Sequence, residues 1–110
     1  MSDVTSPVDL ATAQQQSHIQ KTPGVLGGKA RIAGHRIRVM DIVFWHEKRG
    51  RSPDEIVASI FPGLTLADLY AALSYYHDHR QEIEDQFERE AGMVRELKGR
   101  YASKLEEKAE

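Results

Sequence analysis

Two helix starts and one stop between them constrain this chain more than anything else in it: Ser52-Pro53-Asp54-Glu55, then Pro62-Gly63, then Thr65 with Asp68 three residues on. Ser52 is placed to cap a helix whose first residue is Pro53, with Glu55 closing a reciprocal capping box. Pro62-Gly63 ends that helix, and Thr65 with Asp68 repeats the box for the next. Ile56, Val57, Ile60 and Phe61 mark the inner stripe of the first helix; Leu66, Leu69, Tyr70, Leu73 and Tyr76 mark that of the second. The outward positions of the second helix are then Ala67, Asp68, Ala71, Ser74 and Tyr75. Upstream, Met40 to Arg49 reads as a helix with basic residues in its last turn, closed by Gly50. Its run Ile42-Val43-Phe44-Trp45 makes it apolar most of the way round, to be covered either by the segment before it or by a second copy. Trp45 is read as core.

Before this helix, Lys29 to Ile32 and Arg36 to Val39 alternate in character around Gly34-His35. The pattern suits a hairpin with glycine at the first turn position, Ile32 beside Ile37 and Ala30 beside Val39. Alternation sends Arg31, Arg36 and Arg38 to the opposite face, and no acidic residue lies between Lys29 and Arg38. His18 to Thr22 reads as a short edge strand around Ile19, stopped by Pro23-Gly24.

The fold class is therefore mainly α: a three-helix unit of helix-turn-helix type, homeodomain-like or winged-helix-like, with a short N-terminal β-hairpin and a C-terminal helical extension. With 110 residues the chain holds one small domain. Residues 1–17 are polar and read as disordered, residues 18–79 as the domain, and residues 80–110 as an amphipathic helical segment. In that segment Ile83, Phe87, Val94, Leu97, Tyr101 and Leu105 fall at spacings of three, four or seven among charged residues. Gly92 and Gly99 weaken the helix, so it reads as folding on a partner or pairing with its own copy.

The chain contains no cysteine, which excludes disulfides and thiolate metal sites, and no run approaches a membrane span. A cytoplasmic location is the expectation. His77 and His79 point apart on a helix, and His18, His35 and His46 have no ligand-like spacing, so neither a metal nor another cofactor is expected. No nucleophile-base motif or phosphate loop points to an enzyme. The net charge of -2 hides a basic block: residues 21–51 carry +6, whereas residues 52–79 carry -4 with no lysine or arginine.

Taken together, Ile19, Pro23 to Lys29, Arg31 to Gly34, Arg36-Ile37, Val39, Asp41-Ile42, Gly50, Ser52-Pro53, Glu55-Ile56, Pro62 to Thr65, Asp68, Ala71 to Leu73, Tyr75-Tyr76 and Ile83 resemble the bacterial family catalogued as domain of unknown function 433. Its helix-turn-helix members include VapB-like antitoxins. The family usually carries proline where this chain has Ala30 and Arg38, and threonine where it has His35. The resemblance implies a non-enzymatic antitoxin of a type II toxin-antitoxin pair, which inhibits an acidic PIN-like ribonuclease toxin and binds operator DNA as a dimer for autorepression. It implies a homodimer or a larger toxin-antitoxin hetero-oligomer.

Within that reading the third helix offers no cation, so DNA contact falls to Lys29, Arg31, Arg36 and Arg38 on a two-stranded ribbon, with Thr65 and Ser74 from the helix. Partner contact falls to Ile83, Phe87, Val94, Leu97, Tyr101 and Leu105, with Arg89, Arg95 or Arg100 reaching the toxin's carboxylates. Two other readings stand beside it: a protein-interaction or dimerisation module that never touches DNA, and a stand-alone transcription regulator.

Overall fold

The structure, a computed structural model, describes residues 18–109. The disorder expected of residues 1–17 lies outside the described residues. The chain divides into two compact units, Met1–Arg80 and Gln81–Glu110.

The first unit is mainly helical with a small antiparallel sheet in front. Strand β1 (Ile19–Gln20) pairs with β2 (Arg31–Ile32), Ile19 opposite Ile32 and Gln20 opposite Arg31. The edge strand around Ile19 is thus a partner of the basic segment. The predicted register between residues 29–32 and 36–39 is present in two bonds: Ile32 N–H donates to the Ile37 carbonyl (2.8 Å) and Val39 N–H to that of Ala30 (2.9 Å). Regular pairing on this side extends only to a bridge between Arg31 and Arg38. The turn differs from expectation. His35 N–H donates to the Ile32 carbonyl (3.0 Å), so Ala33 and Gly34 are its central residues, and Gly34 takes the third position with a φ of 78°. A type II turn needs that positive φ, which glycine adopts without steric cost.

Helix α1 (Val39–Val43) starts where Asp41 reaches back to the backbone N–H of Arg38 (2.9 Å). It widens into a π-turn over Phe44–Lys48, with Arg49 N–H bonded to the Phe44 carbonyl (3.0 Å), and Gly50 follows with a φ of 69°. Helix α2 (Pro53–Glu55) begins with the predicted Ser52 and Glu55 box and Pro53 in its first turn, then also widens, over Ile56–Ile60. The wider turn breaks the 3.6-residue stripe. Ile56 is fully buried, whereas Val57, Ile60 and Phe61 are only half-buried.

Helix α3 (Leu66–Asp78), capped by Thr65 and Asp68 as predicted, packs against α1, α2 and both strands. Being surrounded, it buries more than one stripe. Leu69, Leu73 and Tyr76 face inward as expected, but so do Ala71, Ala72 and Tyr75, while Leu66 and Tyr70 are 40% and 56% exposed. The alanines allow neighbouring backbones close, and Tyr75 is shielded by stacking on His79 at 4.0 Å between ring centres. The core around α3 consists of Ile32, Val39, Met40, Ile42, Val43 and Ile56. Trp45 is half-exposed and walls an open hollow of about 300 Å³ shared with Arg51, Glu55, Ser59 and Ile60.

The second unit is helix α4 (Arg80–Ala109), whose 30 residues run unbroken through Gly92 and Gly99. Ile83 and Gln86 are buried within the chain. Among the described residues no helix is long and apolar enough to cross a membrane.

Candidate functional site

The basic ribbon is built from β2, the turn after it and the start of α1, and Arg31 and Arg38 are both used inside the fold. Arg38 forks onto Asp41: Nε donates to Oδ2 (3.1 Å) and a terminal nitrogen to Oδ1 (2.8 Å). The same carboxylate holds the Arg38 N–H, so one aspartate both starts α1 and neutralises the guanidinium. Arg31 stands opposite Arg38 across the bridge, an arrangement of like charges that would repel without Asp41. Its guanidinium donates to the Thr22 hydroxyl (3.1 Å) and the His35 carbonyl (3.3 Å), tying the segment before β2 to the turn after it. Arg31 Nε is buried without an acceptor. Arg36 is exposed on the turn and Lys29 is half-buried. The structure therefore sets Arg31 opposite Arg38 and gives both structural work that the sequence pattern does not reveal.

On α3 the two predicted polar contacts differ in setting. Thr65 is exposed, its hydroxyl accepting from the Asp68 N–H (3.0 Å), while Ser74 is half-buried. The exposed positions are Leu66, Ala67, Tyr70, His77 and Asp78, with no lysine or arginine among them. Ala71 and Tyr75, expected on the outer face, are buried and play no part in a surface.

Asp68 carries a link that spacing alone does not show. His18 Nδ1 lies 2.7 Å from Asp68 Oδ1, pinning the chain just before β1 to the start of α3 across 50 positions of sequence. Burial pushes the Asp68 carboxyl up, but the bond from the Thr65 N–H (3.0 Å) and those from His18 and the Thr65 side chain outweigh it, so its pKa falls below the ordinary 3.8.

The partner stripe on α4 separates into a covered part and an open part. Ile83 is fully buried and Phe87 half-buried, which removes Ile83 from any partner surface. Val94, Leu97, Tyr101 and Leu105 are 49–66% exposed, and Met93, which the stripe as predicted leaves out, joins them at 60%. Met93 lies four residues before Leu97, a helical spacing that does show in the sequence. Arg89, Arg95 and Arg100 are exposed, and Arg100 pairs with Glu96. Among the described residues no group of three or more histidine, aspartate or glutamate side chains is gathered to hold a metal ion.

Two comparisons bear on this arrangement. A crystal structure of a DUF433 member protein from Anabaena variabilis ATCC 29413 is similar, with a TM-score of 0.59 and 38% identity over 76% of this chain and 85% of that one. No curated protein matches. The family model described as "Protein of unknown function (DUF433)" matches residues 19–76, which run from β1 to the last turn of α3 and take in both capping boxes and the ribbon. The chain belongs to the DUF433 family.

Proposed function

We propose that this protein is a non-enzymatic antitoxin that inhibits a small acidic PIN-like ribonuclease through α4 and acts on its own operator as a cytoplasmic dimer with a helix-turn-helix domain. One observation carries the partner-binding half: five large apolar side chains stand open along a single charged helix. Such a helix gains most of its stability by laying its apolar face into a groove of another protein. Arg95, Lys98, Arg100 and Lys104 flank that face, with Glu96 the only acid between residues 91 and 105, so the groove it suits is acidic.

The test is inhibition of a co-expressed nuclease encoded beside this gene. The full chain is expected to abolish cleavage of RNA at equimolar ratio, and Leu97→Glu with Tyr101→Glu to restore cleavage while helical content is unchanged. Full inhibition by the double variant would refute the role of α4.

A second reading, a protein-interaction module that does not touch DNA, is favoured by the outer face of α3, which carries Leu66, Ala67 and Tyr70 but no cation. The two readings part on salt dependence. With Arg31 and Arg38 held inside the fold, the repressor reading keeps the exposed Arg36 as one phosphate contact per subunit. For a dimer on the upstream fragment this means a log-log slope of about -2 from counterion release. No binding at low salt would leave the interaction module.

A further inference from the structure

We propose that α4 pairs antiparallel with α4 of a second copy, about a two-fold axis between Arg95 and Glu96. This does not rest on the antitoxin reading. Phe87, Glu90, Val94, Leu97, Tyr101 and Lys104 follow one another at alternating steps of three and four, the seam of a seven-residue repeat. The open apolar residues Val94, Leu97 and Tyr101 lie at its centre. The seam also holds one acid and one base, and these decide the direction of pairing.

Parallel helices in register would set Glu90 against Glu90 and Lys104 against Lys104 of the second copy, burying like charges together. Antiparallel helices set Val94 against Leu97 at the centre, Tyr101 against Glu90 and Phe87 against Lys104. A tyrosine hydroxyl can donate to the carboxylate, and an ammonium can sit over the phenyl face. The seam spans 18 residues of each helix, about 27 Å. Because it uses the open stripe, capture of another protein by α4 competes with the pair.

The experiment uses the full chain. Sedimentation equilibrium is expected to show twice the chain mass of 12.4 kDa. Leu97→Glu, at an exposed position and so harmless to the fold, is expected to weaken the pair by about 100-fold or more, since it sets a charge at the centre of the seam. The chain has no cysteine of its own, so introduced thiols report direction. Glu90→Cys mixed with Tyr101→Cys is expected to form the mixed disulfide, while Tyr101→Cys alone forms little. A monomer at about 100 µM, an unchanged Leu97→Glu dimer, or efficient self-linking of Tyr101→Cys would each overturn the proposal. A chain that pairs this way but leaves the nuclease active removes only the antitoxin reading; a monomeric inhibitor removes the pair and the dimeric operator binding, and leaves the inhibition.

Discussion

Leu69→Ala is expected to lower the unfolding free energy by about 3 kcal/mol, the range in which a buried leucine leaves a cavity that neighbours cannot fill. Leu69 is fully buried on α3, the helix against which α1, α2 and both strands pack, so a void there is bounded by several elements. A domain of this size holds on the order of 5 kcal/mol in all, which makes the loss most of its stability. Urea denaturation checks it, with the midpoint falling steeply and Leu66→Ala as the control. Leu66 sits one turn earlier but is 40% exposed, and its truncation should cost within about 0.5 kcal/mol. Equal losses for the two would mean that α3 is not seated as described.

Asp68→Asn is expected to cost about 1–2 kcal/mol at neutral pH, because it weakens a charge-assisted cap and the bond to His18 together. The sign of its pH dependence follows from the lowered pKa. A carboxyl more acidic in the folded than in the unfolded chain contributes stability that is fully present above about 3.9. That contribution fades as pH falls through the folded-state value below 3.8. The difference between the native chain and Asp68→Asn in denaturant midpoint should therefore shrink as the pH falls below about 4. A difference that persists unchanged to the acid limit would show that the carboxylate is not the group responsible.

How much of this was legible in the sequence divides along the range of the interactions. The boxes at Ser52 and Thr65 are completed within three residues, so residue type and spacing suffice. The register of Ile32 with Ile37 was legible for the same reason, although the turn shifted by one position because glycine serves either place. What escaped was set by packing at a distance. Tyr70 and Tyr75 exchanged sides because α3 is enclosed by α1, α2 and both strands, and the π-turns have no signature in residue type. The His18 link to Asp68 joins residues whose proximity only the fold creates. Arg38 and Asp41 are a different lesson. Their spacing of three is visible in the sequence, but strand alternation places Arg38 on the basic face by its charge and takes no account of the acid three residues on.

The π-turn at Phe44–Lys48 bears on how the chain can change length. A helix whose carbonyl at 44 is met by the N–H at 49 carries one residue more per turn than an α-helix needs. Removing a single residue from Phe44–Lys48 is expected to let that turn close as ordinary α-helix. The residues before it keep their bearing on the core, and the cap at Ser52 still opens α2. The bulge is thus a seam in the gene as well as in the helix: a place where a one-codon deletion is absorbed by rewinding rather than by misplacing everything downstream.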